Sequence, residues 1–263
     1  MKKHAAALIA LGLLSLGAHA KDWTEIRLAS EGAYPPFNTI GADGALGGFD
    51  IDIGNALCAE MKAKCTWVKQ EWDGMIPALN ARKFDAIIAS MSITEERRKQ
   101  VDFSDKYYAT PLGLVAKKTA SLVPTTDALK GKRVGVQRGT VADNFASKFW
   151  APKGVNLVRY AKQDESYLDL TAGRLDAVFA DALEADGGFL SKPEGGSYAF
   201  MGDRMFGTTA EERAVIGEGV GIAVRKKDAD LKEQFNGALA AIRANGTYDT
   251  LRKKYFAYDI YGQ

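Results

Sequence analysis

Apolar residues recur along this chain with two alternating periods. The runs "EIRLAS" (25–30), "CTWVKQ" (65–70), "FDAIIAS" (84–90), "LGLVAKK" (112–118), "KRVGVQ" (132–137), "VNLVRY" (155–160) and "LDAVFAD" (175–181) have strand length and strand composition. Between them, "DIDIGNALCAEMKA", "WDGMIPALNAR", "TVADNFASKFW" and "ESYLDLTAGR" carry apolar residues at helical spacing, with Pro77 interrupting the second. The tail "ADLKEQFNGALAAIRANGTYDTLRKKYF" predicts two helices broken at Gly246. Such alternation predicts an α/β fold with largely parallel sheets.

Two segments of the pattern echo each other without a gap. "LNARKFDAIIAS" (79–90) and "LTAGRLDAVFAD" (170–181) both run from a helix end through a basic turn and an aspartate into an apolar strand. The echo predicts two lobes of similar design and puts Ser90 and Asp181 at equivalent strand ends. Ligands of open α/β sheets bind just beyond strand carboxyl ends, so two facing lobes would enclose a cleft.

The first twenty residues stand outside this pattern. Lys2 and Lys3, an apolar run from Ala5 to Leu16 and the small-residue site Ala18-His19-Ala20 predict an export signal cut after Ala20. Its apolar run is too short for a membrane span, and the expected mature chain is Lys21–Gln263. Losing Lys2 and Lys3 from 35 Lys+Arg leaves 33, matched by 33 Asp+Glu, so no basic footprint for nucleic acid remains. His4 and His19, the only histidines, fall within the signal, which excludes imidazole bases and histidine metal ligands from the mature chain. The two cysteines, Cys58 and Cys65, are expected to pair in an exported protein; no further soft ligand accompanies them for a metal site.

Several stretches carry candidate chemistry. In "SITEERR", Ser92 and Glu95 fit a helix capping box, while the same helix start could receive an anion beside Arg97, Arg98 or Lys99. Glu31 ends the first strand, with Tyr34 and the stiff Pro35-Pro36 turn following. Trp72 supplies a second aromatic in a polar setting, and two aromatic faces with a carboxylate suit an alkyl chain ending in a cation. "GVQRGTVADNF" forms a glycine turn able to receive an anion, but lacks the GK[ST] ending of a nucleotide loop. Asp50 and Asp52 in "GFDIDIG" mark a strand-to-helix junction rather than a calcium loop.

As an ordered set, "YPPF", "GFDIDIGNALC", "KCTWV", "WDGMIPAL", "FDAIIASMSITEER", "VDFSDKYY", "LKGKRVGVQRGT", "LDLTAGRLDAV", "GVGIAVRK" and "NGTYDTLRKKYF" resemble the periplasmic solute-binding proteins of ABC importers. The likeness is to the polar amino-acid cluster, among the lysine/arginine/ornithine-, histidine- and arginine-binding members. It implies a two-lobed type II periplasmic-binding-protein fold with the ligand cleft between lobes and two hinge strands. One lobe would comprise residues 21–109 and 212–263, the other 113–206. Arg97 would grip a ligand α-carboxylate with help from Ser90 and Ser92, and Asp181 would pair with the α-ammonium. Tyr34 and Trp72 would sandwich the aliphatic chain, and Glu31 would meet the distal cation. Ala89, Met91, Gln137, Thr140 and Val141 complete the expected lining, and the Cys58–Cys65 pairing fits the same pattern.

The resemblance implies a monomeric periplasmic protein that is not an enzyme, needs no cofactor or metal, and hands a cationic amino acid to a membrane permease. This chain also departs from its relatives. Val141 stands where they often have threonine, so Thr140 or backbone N–H groups would have to meet the carboxylate. Glu31 replaces an aspartate, Trp72 a phenylalanine and Ala89 a serine, features similar to opine binders. An opine or agmatine-type ligand, a dehydratase of cyclic acids using Glu31 or Asp181 as proton donor, and a sensor domain are the alternatives.

Overall fold

β-Branched and aliphatic runs with no polar face can only sit in the middle of a layered structure, and they do so here twice. The computed structural model describes residues 23–262; the expected export signal and its cut after Ala20 lie outside the described residues. The first sheet has the order Lys64–Lys69, Glu25–Ser30, Ala86–Ile87, Val220–Val224, Asp102–Tyr108. Its first three strands are parallel, and Val220–Val224 runs antiparallel to both neighbours. The second has the order Asn156–Tyr160, Arg133–Gln137, Ala177–Asp181, Leu112–Lys117, Tyr198–Phe200, again three parallel strands followed by antiparallel pairing. The two halves of the sequence echo thus supply the central strand of each sheet.

Helices cover both faces of both sheets. On the first, Phe49–Glu60, Ala229–Ala244 and Thr247–Tyr255 bury Phe49, Ile53, Leu57, Phe235, Leu239 and Tyr248 on one side. Met75–Asn80 covers the other, with Met75 and Leu79 against Ile87 and Phe103. On the second, Val141–Phe149 packs Phe145 against Phe179 and Trp150, and Gln163–Thr171 packs Tyr167 and Leu170 opposite. Gly246 holds the left-handed φ of 81° that ends one tail helix and starts the next, as expected of glycine at a helix end. Cys58 and Cys65 are disulfide-bonded, joining helix Phe49–Glu60 to the edge strand Lys64–Lys69.

The chain leaves the first sheet after Tyr108, enters the second at Leu112, and returns to the first at Val220. On the way back, helix Ala210–Ile216 buries Ile216 in the core of the second lobe. Leu112 forms an isolated bridge with Met205, and Ser92 with Val220, close to where the chain crosses.

One local expectation is corrected. Ser92 does not cap a helix: its bridge to Val220 holds it extended, and the helix Glu95–Arg98 starts three residues later with Thr94 as its cap. The Thr94 hydroxyl accepts from the Arg97 N–H at 3.3 Å. The pairing demanded by the sheet overrides the local capping signal.

Candidate functional site

Strand ends and helix starts from both lobes converge on one cavity between the two sheets. It is lined by Glu31, Tyr34, Trp72, Ala89, Ser90, Ser92 and Arg97 from the first lobe and by Gln137, Thr140, Val141 and Asp181 from the second. Met91, the remaining residue expected in the lining, turns into the first lobe's core and is 2% exposed. Leu112, Ala142, Gln163 and Ala180 also line the cavity. The alanines and Leu112 carry no chemical signature that sequence reasoning could seize. Gln163 opens the helix Gln163–Thr171 just after the strand Asn156–Tyr160, the same kind of strand-to-helix position that marks Gln137, Thr140 and Val141.

Arg97 is the cation of the site. Its Nη1 donates to the Ser92 carbonyl at 2.9 Å and its Nη2 to the Gly139 carbonyl in the opposite lobe at 3.1 Å. The guanidinium lies 5.2 Å from the Trp72 ring centre. Among the described residues it forms no ion pair, and burial lowers its pKa to about 10. Facing it is the start of helix Val141–Phe149, where the Thr140 hydroxyl accepts from the Asp143 N–H at 3.3 Å and donates to the Gln137 carbonyl at 2.8 Å. Thr140 is therefore committed to its own turn. The N–H groups of Val141 and Ala142 have no partner among the described residues, leaving donors at a positive helix end.

Ser90 is positioned rather than free. Its φ of 55° is a left-handed value unusual for serine, and its Oγ donates to Asp50 at 2.9 Å. Asp50, fully buried, also accepts from Asn38 Nδ2 at 2.9 Å and from the Tyr107 hydroxyl at 2.7 Å. Burial raises the Asp50 pKa, against which these three hydrogen bonds work. Asp50 is thus the hub of a hydrogen-bond network under the cleft floor.

Two carboxylates complete the site. Asp181 caps the helix Ala182–Ala185, accepting from the Leu183 N–H at 3.2 Å and from the Thr110 hydroxyl. Burial raises its pKa to about 7, offset in part by these bonds. Glu31 accepts from Gln137 Nε2 across the cleft at 3.0 Å, and burial likewise raises its pKa to about 7. Gln137 Nε2 also donates to the Ala161 carbonyl at 3.2 Å, which fixes the amide and leaves its Oε1 as an acceptor. Outside the cavity, Arg138 pairs with Asp73 at 2.9 Å across the same gap.

The site therefore combines an unpaired guanidinium and two free backbone donors with two high-pKa carboxylates and aromatic walls. That arrangement is complementary in charge to a zwitterionic or cationic molecule; among the described residues no cluster of three or more metal-ligating side chains occurs. The comparisons with known proteins agree with the fold. The chain is 52% identical over 254 residues to the L-arginine-binding protein of Pseudomonas aeruginosa, covering 97% of this chain and 96% of the relative. It is 44% identical over 264 residues to the lysine/arginine/ornithine-binding periplasmic protein of Escherichia coli, covering 100% of both. Among solved structures, an ancestral arginine-binding protein bound to arginine matches with a TM-score of 0.81 at 35% identity, covering 91% of this chain and 100% of that one. The description matching residues 26–258 is of binding proteins, not of enzymes, and by it the chain belongs to the bacterial extracellular solute-binding proteins, family 3.

Proposed function

We propose that this protein captures a cationic L-amino acid in the periplasm and delivers it to an ABC-transporter permease. The observation that carries the reading is the charge order of the cleft: an arginine without an acidic partner, then two buried carboxylates from opposite lobes. Arg97, with the Val141 and Ala142 N–H groups, receives the α-carboxylate; Asp181 receives the α-ammonium; Glu31 receives the distal cation between Tyr34 and Trp72. Val141 lacks the hydroxyl its relatives often use, and the backbone donors of the helix start replace it. A ligand without a carboxylate, such as agmatine, would leave Arg97 buried and unpaired, which disfavours it.

Closure follows because the two halves of the clamp sit on different lobes, and only the closed form engages both. Within the cationic class, the Gln137 amide favours a guanidinium. Its Oε1 and the second oxygen of Glu31 present two acceptors from two lobes, which suit a fork of N–H donors better than a single ammonium. Calorimetry with L-arginine, L-lysine, L-ornithine, L-histidine, L-glutamine and L-glutamate tests the reading. Binding confined to the first four, with arginine tightest, is expected; binding of only neutral or acidic amino acids refutes it.

A further inference from the structure

One apolar contact between the lobes lies outside the ligand cavity. Leu183 belongs to the second lobe, two residues after Asp181, yet it is 9% exposed and joins the first lobe's core cluster with Tyr34 and Phe37. One helical turn on, Gly187 presents no side chain to the first lobe. A Cβ there would lie 2.8 Å from Pro36 Cδ and 3.1 Å from its Cγ. A Cβ on Gly188 would lie 3.3 Å from Pro35 Cγ and 2.5 Å from the Glu184 carboxylate. The Pro35-Pro36 ridge thus rests on bare backbone of the π-helical turn Asp186–Leu190.

Both partners of this contact are held firmly. On one side the Pro36 carbonyl accepts from the Phe49 N–H at 3.1 Å and the Phe37 carbonyl from the Asp50 N–H at 2.8 Å, tying the ridge to a helix start. On the other, Phe189 stacks on Tyr167 with ring centres 4.5 Å apart, and the Tyr167 hydroxyl donates to Glu184 at 2.7 Å. None of Leu183, Gly187, Gly188, Pro35 and Pro36 lines the cavity.

We propose that Leu183 and Gly187 are positioning residues that form a closing seat for the proline ridge, and that this seat sets how long the cleft stays shut. Its apolar burial is gained on closure whether or not the cavity is filled. It therefore raises the fraction of closed protein before binding and slows release afterwards. The kinetic part rests on the reading given under Proposed function; the conformational part does not.

The test uses the full chain carrying Gly187→Ala or Leu183→Ala, with the exposed Leu168→Ala as control. L-Arginine release is followed by stopped flow, ligand-free shape by small-angle scattering, and ligand-free melting by calorimetry. Gly187 does not hold a positive φ, and alanine suits helical backbone better than glycine, so ligand-free melting of Gly187→Ala should stay level or rise. Its release rate should nevertheless rise about tenfold, because an added methyl overpacks the seat. The ligand-free radius of gyration should increase in both variants and not in the control. Unchanged release and unchanged scattering overturn the proposal. A faster release matched by an equal loss of ligand-free melting in Gly187→Ala assigns the effect to folding and also overturns it. Failure of the unaltered protein to bind L-arginine refutes the functional reading, while scattering still decides the seat.

Discussion

Replacing Arg97 by alanine should separate binding from folding in a way few substitutions can. A ligand carboxylate at Arg97 would gain two charge-assisted hydrogen bonds, each contributing about 1.5–3 kcal/mol. Removing the fork loses about 3–6 kcal/mol and leaves the carboxylate facing only the Val141 and Ala142 N–H groups. At about 1.4 kcal/mol per decade, affinity should fall by roughly two to four orders of magnitude. Folding should respond little. Arg97 is 8% exposed and its guanidinium is held by two carbonyls rather than by an acid, and burial disfavours its charge, lowering its pKa. Without ligand, Arg97→Ala should therefore melt within a few degrees of the unaltered protein. Titration calorimetry with L-arginine measures the first effect and scanning calorimetry the second. Arg97→Lys, which keeps the charge but not the fork, should recover only part of the affinity. An Arg97→Ala protein that binds within tenfold of the original would refute the carboxylate seat.

The pH dependence of affinity follows from the two raised carboxylates. Glu31 and Asp181 sit at about 7 before binding, and a bound cation stabilises their charged forms. Binding then releases protons below neutrality, so affinity for L-arginine should hold above pH 8 and weaken as pH falls through 7 towards 5; a pH-independent Kd over that range would count against their roles. Gln137→Leu removes the second acceptor beside Glu31 and should shrink the preference for arginine over lysine by about tenfold, a loss of about 1–2 kcal/mol read from competitive binding. Asp50→Ala strands the donors of Asn38, Ser90 and Tyr107 in the buried floor. It should cost about 3 kcal/mol or more in urea unfolding, and a cost below 1 kcal/mol would deny Asp50 its hub role.

Much of this protein was legible in its sequence because the information is local. The strand and helix periods of segments such as "KRVGVQ" and the tail helices, the paired cysteines and the helix break at Gly246 depend on neighbours a few residues away. The echo of 79–90 in 170–181 placed Ser90 and Asp181 at equivalent strand ends, and the strands leading to them are the middle strands of the two sheets. Tertiary structure decided what local chemistry leaves open. Whether Ser92 caps a helix or joins a sheet depended on Val220, more than a hundred residues away, and sheet pairing prevailed. Of the adjacent cations, only Arg97 is buried, because its side chain follows the Thr94 cap inward while Arg98 reaches out to Glu218. Gln137 and Glu31 meet across the cleft from positions remote in the chain. Their pairing, and the burial that lifts two carboxylates to about 7, depend on residues distant in the chain, since desolvation is a property of the folded surroundings rather than of any residue alone.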